Sequence, residues 1–196
     1  MHTFKHTLLL LIVLFISSCA STYKSPTVES LTYDSHYEEE GISLGYRYDF
    51  LKSIYKHRSQ RRDIRVAAIS ISNTSTNNLV FGEDLILTFE NGTPITLLEK
   101  DHGFKKLRQR SETHLIYLVF TPMIVPQTDE VIRIGYVLGP GLAFGNMIWA
   151  GRANSQFKAD LAKYDLSNAV IKRGETKYGL IAFKNEQPQV LRLMLK

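Results

Sequence analysis

Ile64-Arg-Val-Ala-Ala-Ile-Ser-Ile-Ser72 is the stretch on which the fold turns. Ile69 and Ile71 are two residues apart, so a pleated strand puts both on one face, and β-branched side chains suit that surface. The run stops at Asn73-Thr74-Ser75, three residue types that favour turns. On its N-terminal side, residues 42–51 alternate loosely and carry Tyr46, Tyr48 and Phe50 on one side. On its C-terminal side, 79–81 and 85–89 read as strands, with Leu85, Leu87 and Phe89 alternating up to an Asn91-Gly92 turn. Residues 95–98 form a shorter apolar run after Pro94. Near the C-terminus Val170 and Ile171 lead into the turn Lys172-Arg-Gly-Glu175. Residues 178–183 and 190–195 then read as two strands. In the last, Leu191, Leu193 and Leu195 face one way and Arg192 the other.

The middle of the chain has another character. Residues 99–110 are charged and read as a short helix in spite of Gly103. Residues 114–125 are strongly apolar and end at Pro126, while 131–150 are apolar and rich in glycine (Gly135, Gly139, Gly141, Gly145). Two readings of this apolar pair stand open. One is a re-entrant or interfacial hairpin that dips into a bilayer, since Pro140 and the glycines argue against a spanning helix of about twenty residues. The other is an ordinary core element or glycine-rich strand pair, and buried segments commonly show this pattern. Residues 155–164 have helical spacing, with Phe157, Leu161 and Tyr164 on one face and Lys158, Asp160 and Lys163 outside it.

Several short strands with frequent turn signals predict a β-sandwich. Two segments, Val66-Ala-Ala-Ile-Ser-Ile-Ser-Asn73 and Ile171-Lys-Arg-Gly-Glu-Thr-Lys-Tyr-Gly-Leu-Ile-Ala-Phe183, resemble immunoglobulin-like lipoprotein domains of bacterial cell envelopes. In such domains an early strand ends in Asn, and a late Gly-Glu-Thr turn feeds a strand with a Gly-Leu-Ile centre. The expected fold class is therefore mainly β: an immunoglobulin-like β-sandwich over residues 41–196, with a partly helical, apolar insertion at about 99–164. The resemblance covers about half of that region and implies architecture more than chemistry.

At the N-terminus, Lys5 is followed by an unbroken apolar run over residues 8–16 and then by Ser17-Ser18-Cys19, the chain's sole cysteine. A positive start, a short apolar stretch and small residues are the three parts of a secretory signal. Ile16 at −3, Ser18 at −1 and Cys19 at +1 resemble the lipobox of a bacterial lipoprotein. That resemblance implies removal of residues 1–18 and acylation of Cys19 through a thioether. More than one acyl chain makes a lasting anchor. Ala20 stands where an aspartate, in families with such signals, keeps the protein at the inner membrane. The implied location is the cell envelope, at the outer membrane facing the periplasm. Residues 20–40 are polar, carry Glu38-Glu39-Glu40 and show no sustained period, so 19–40 is expected to be a lipidated flexible tether.

Composition supports a packed domain: 44% of residues are hydrophobic and 11% aromatic. With Cys19 acylated no thiol remains for a disulfide or a thiolate metal site. The formal net charge is +5. Its densest basic stretch holds Arg47, Lys52, Lys56, Arg58, Arg61, Arg62 and Arg65 against Asp49 and Asp63, with Tyr46, Tyr48, Phe50 and Tyr55 interleaved. In the cytosol such a stretch would suggest nucleic acid. Outside the inner membrane it suggests phosphate or carboxylate surfaces, each cation adding at most about 1 kcal/mol. A solvated hairpin loop over 53–62 explains the same charges without a partner.

No catalytic set is legible. Gly41-Ile-Ser-Leu-Gly45 has GxSxG spacing but runs into the strand read over 42–51 and not into a strand-to-helix elbow, the SxxK spacings at Ser21, Ser53 and Ser155 come without the companion motifs of that chemistry, and no free catalytic cysteine remains. Gly139-Pro-Gly-Leu-Ala-Phe-Gly145 lacks the lysine and the spacing of a phosphate loop, and Pro140 removes a backbone donor. The mature histidines, His36, His57, His102 and His114, stand at no ligand spacing. The expectation is a lipid-anchored envelope protein with a binding or structural role. It needs no cofactor or metal and no nucleic acid. Its partners are the membrane through Cys19 and an envelope protein or anionic envelope polymer. An envelope enzyme, such as a cell-wall hydrolase with a site assembled from distant loops, is the alternative.

Overall fold

The computed structural model describes residues 20–48, 50–120 and 129–196, and the backbone alone of 119, 120 and 129–138. Residues 1–19, over which a signal and a lipidated Cys19 were expected, Asp49 and residues 121–128 lie outside the described residues. The chain divides into two compact units, one of residues 20–22 with 109–154 and one of residues 23–108 with 155–196.

In the larger unit the elements are β1 (Ser35–Glu39), β2 (Ile42–Arg47), α1 (Ser53–Arg61), β3 (Ile64–Asn73), β4 (Leu79–Val80), β5 (Leu85–Phe89) and α2 (Lys100–Leu107). They are followed by β6 (Val170–Ile171), β7 (Thr176–Lys184) and β8 (Leu191–Leu195). The smaller unit has a 3₁₀ segment (Ser111–Ile116), α3 (Tyr117–Phe120) and most of α4 (Asp129–Lys163), whose last turns from Ser155 belong to the larger unit. Among the described residues, β1-β2-β3-β7 form a four-stranded antiparallel sheet, while β4-β6 and β5-β8 pair as two-stranded ribbons. This is a mixed α and β architecture built on an antiparallel sheet.

The helix content follows from β3. Its odd positions Ala67, Ile69 and Ile71 join Leu44, Ile181, Phe183, Leu85, Leu87, Ile171 and Leu191 in a core between the sheet and the ribbons. Its even positions Ile64, Val66 and Ala68 are equally buried, in a second core with Tyr55, Leu107, Phe157, Leu161, Tyr164, Leu180 and Ala182. A strand buried on both faces reads as a near-continuous apolar run. The outer face of a simple sandwich would leave Ile64 and Val66 in water. Here α1, α2 and the last turns of α4 cover it. Phe157, Leu161 and Tyr164 share the face their spacing predicts. β7 keeps the same two-sided pattern, and Gly179 faces Ile69 where a Cβ would lie 2.3 Å from the Leu166 side chain. Only glycine fits there.

Residues 20–40 are not the tether expected of them. Tyr23 packs edge-on to Tyr55 at 5.2 Å and to Phe157 at 5.3 Å. Val28 is fully buried, and Tyr33 stacks on Tyr178 and donates to the Val28 carbonyl at 2.8 Å. β1 then pairs with β2 from Ser35↔Tyr46 to Glu39↔Ile42. Glu40 and Gly41 both have positive φ (50° and 76°), the signature of a two-residue type I′ hairpin. The fold thus begins well before Gly41, because aromatic residues spaced among polar ones find apolar surface.

Two other expectations differ. Residues 53–62 form a helix in place of a hairpin loop. From 129 onward the glycine-rich apolar segment runs as one helix, with Pro140 inside it. There Ala143, Ala150, Phe157 and Tyr164 recur every seven residues on one buried stripe.

Asn73 closes the larger unit. Its side-chain amide donates to the carbonyls of Asn77 (2.8 Å) and Ile171 (2.9 Å) and accepts from the Ser75 N–H (3.0 Å). Its backbone N–H donates to Glu175 and its carbonyl accepts from Gly174. The side chain is fully buried. Replacing it orphans several buried groups, each costing about 1–3 kcal/mol. Asn73→Ala is expected to lower the unfolding free energy by about 2–3 kcal/mol, measured by chemical denaturation.

Candidate functional site

The seven cations of the basic stretch separate into two sets. Arg47 on β2 donates to the Thr32 carbonyl at 3.1 Å and pairs with Asp34 at 3.4 Å. Arg58, on the inner side of α1, donates to the Arg108 carbonyl at 2.6 Å, and Arg62 donates to the carbonyl of Lys106. Both acceptors sit at the C-terminus of α2, where carbonyls lack helical partners and the helix dipole is negative. Arg65 on β3 donates to the Glu186 carbonyl. These four arginines are structural donors.

Lys52 and Arg61 are exposed, Lys56 is half-buried, and His57 is exposed between them. Lys52 and Lys56, like His57 and Arg61, are four apart, so each pair stacks along α1, and the two pairs lie about 140° apart around the helix. The sequence reading grouped the seven residues by charge. The helix parts them by period.

The remaining histidines do not converge on one site. Among the described residues no group of three or more His, Cys, Asp or Glu is placed to hold a metal. His114 stacks on Tyr117 at 6.2 Å, and burial lowers its pKa below the ordinary histidine value. Tyr23, packed near Asp160, has its phenol pushed up first by burial and then by the Asp160 charge. It stays neutral and acts as an aromatic core residue.

A cleft in the larger unit holds about 40 Å³ and is lined by Leu97, Leu107, Leu161, Leu180 and Ala182. That is far below the several hundred Å³ of a typical small-molecule site. At its rim Lys100 donates to Asp165 at 2.8 Å. Burial raises the Asp165 pKa, but bonds from Lys100 and Ser167 outweigh it, leaving a net value below the ordinary 3.8. A depressed carboxylate stabilises the fold fully above its unfolded pKa and loses that contribution as pH falls through the folded one.

The smaller unit presents a different surface. Seven of the ten exposed large apolar side chains among the described residues lie between Leu115 and Trp149. Ile116 and Trp149 are each 57% exposed, Ile148 53% and Phe144 46%. On α4 they turn outward, opposite buried Ala143, Ala150 and Ala153. Arg152 is the charged residue among them, and it sits 5.8 Å from the Trp149 ring centroid.

This unit also takes up the chain that follows Cys19. The Ala20 N–H donates to Asn146 Oδ1 at 3.3 Å. Ser21 exchanges two hydrogen bonds with the buried Gln109 side chain, at 3.2 and 2.6 Å. Gln109 is itself fixed by a reciprocal pair of bonds with Asn154, at 2.8 and 2.9 Å. The sequence reading missed this acceptor set, because single amides far apart in the chain carry no local signal. No family model, curated protein or solved structure matches the chain.

Two outcomes follow. Arg58→Met is expected to cost about 1–2 kcal/mol in chemical denaturation, while Lys52→Gln and Arg61→Gln each shift stability by less than about 0.5 kcal/mol. Wild type is expected to be more stable than Asp165→Asn near neutral pH. The two are expected to converge as pH is taken below the ordinary aspartate value of 3.8, read as unfolding midpoints across a pH series.

Proposed function

We propose that the chain is a lipid-anchored cell-envelope protein with a binding or structural role, held at the outer membrane on its periplasmic face by acylated Cys19. The observation that carries this reading is Ile16-Ser17-Ser18-Cys19 after an apolar run, with no second cysteine in the chain. The bonds on Ala20 and Ser21 support it, because they fix the residues next to the anchor to a folded unit. Among the described residues no helix is long and apolar enough to cross a membrane. The lipid on Cys19 supplies the attachment in this reading.

The larger unit is read as a relative of the immunoglobulin-like sandwich in which one outer face carries helices. The facing ribbons β5-β8 and β4-β6 over a shared core support that relation, as does the meeting of Asn73 with the Gly174-Glu175 turn. The basic residues of α1 that the fold does not use as structural donors, Lys52, Lys56 and Arg61, are the contact for an envelope protein or anionic envelope polymer.

Mass spectrometry of the mature N-terminus tests the anchor. A diacylglyceryl-modified Cys19 at the first position is the expected result. An intact N-terminus with unmodified Cys19 would overturn it.

A further inference from the structure

The geometry points to a second membrane attachment in the smaller unit: the outward apolar face of α4, with Leu142, Phe144, Ile148 and Trp149, seats in the headgroup and acyl boundary of a phospholipid bilayer together with Leu115 and Ile116. A surface helix of a soluble protein turns charged or polar residues to water. This one does the reverse. Over residues 142–153 its small residues Ala143, Ala150 and Ala153 are buried while Leu142, Phe144, Ile148 and Trp149 are exposed. A clustered apolar surface of this kind marks an interaction site.

The choice of a bilayer as occupant rests on where the chain outside the described residues begins. Ala20 is hydrogen-bonded to Asn146, which lies one turn from Leu142 and from Trp149 at the edge of the exposed arc, on the other side of the helix from Phe144 and Ile148. Cys19 is the next residue, and one residue of chain spans at most about 3.6 Å. Acyl chains on Cys19 therefore enter the membrane beside this face. In this respect the inference rests on the lipid-anchor reading. The Trp149–Arg152 pair fits the same location, since tryptophan and arginine place an apolar body below and a polar end above the headgroup level. A helix in the plane of the interface needs no spanning length.

Trp149 is the single tryptophan of the chain, so its fluorescence reports on this face alone. Full-length mature protein, both acylated wild type and Cys19→Ser, is combined with phosphatidylethanolamine–phosphatidylglycerol vesicles containing brominated acyl chains. In both proteins Trp149 emission is expected to move to shorter wavelength and to be quenched by bromine. Phe144→Ser combined with Ile148→Ser is expected to weaken vesicle binding of the Cys19→Ser protein at least about tenfold with an unchanged thermal midpoint. Emission that stays water-like and unquenched overturns the proposal. So does a blue shift that depends on protein concentration and precedes vesicle addition, which would assign the face to a second copy. The Cys19→Ser arm requires no acylation, so the anchor reading and this one fail separately.

Discussion

The two-sided burial of β3 is the constraint from which the larger unit follows. Ile64, Val66 and Ala68 on one face and Ala67, Ile69 and Ile71 on the other leave neither side able to meet water. At roughly 25 cal/mol per Å² of apolar surface, exposing either row would cost several kcal/mol, a large part of a domain's net stability. One face is met by strands and the other by helices, and the strand cover brings its own requirements. On the ribbon side a close approach is needed at Gly179, opposite Ile69, where Leu166 occupies the space of a Cβ. The strand cover also needs the chain to return at Asn73, where buried amide bonds join β3 to Ile171 and the turn before β7.

The same constraint explains why charge on this chain is a poor guide to function. Arg58 and Arg62 flank an α1 that must lie against the sheet, and their guanidinium groups reach the last carbonyls of α2. Packing one helix beside another's C-terminus leaves carbonyls without partners, and a cation with several donors is well suited to them. Their charge serves the fold. What α1 offers to a partner is confined to the side away from Tyr55 and Ser59, both buried.

Much of the β architecture was legible because alternation survives in a single sequence. β3, β5, β7 and β8 lie where the apolar residues recur in twos, and the Asn91-Gly92 and Gly174 turns have the positive φ their glycines allow. The even face of β3 was legible in principle: Ile64, Val66 and Ala68 are as regular as Ile69 and Ile71, and they specify a helical layer. β1 was hidden by Glu38-Glu39-Glu40, which look like a solvated run until Glu40-Gly41 is read as a two-residue turn. α1 was hidden by its charges, since Tyr55 and Ser59 are the buried positions of a nine-residue helix. In α4, Gly and Pro argue against helix on propensity alone, by about 1 and 3 kcal/mol per residue. The seven-residue spacing of Ala143, Ala150, Phe157 and Tyr164 carried the opposite signal, but small alanines do not stand out in an apolar run. The hydrogen bonds of Ala20 and Ser21 had no sequence signal, because their partners lie 126 and 88 positions away.

The loss of the expected tether alters what an anchor at Cys19 does. A flexible linker of some twenty residues would hold a domain at a distance set by its random-coil length and leave its orientation free. Here the residue after Cys19 is bonded to α4, so the proposed acylated cysteine would deliver the smaller unit to the bilayer as a body. Docking of its apolar face would then become an intramolecular step at high effective concentration, at which even a weak contact is occupied. Two attachments within a few residues of each other also restrict rotation about the anchor, which a lone lipid does not. On these two proposals orientation at the membrane would be tied to the side chains of α4, with the lipid supplying the attachment itself.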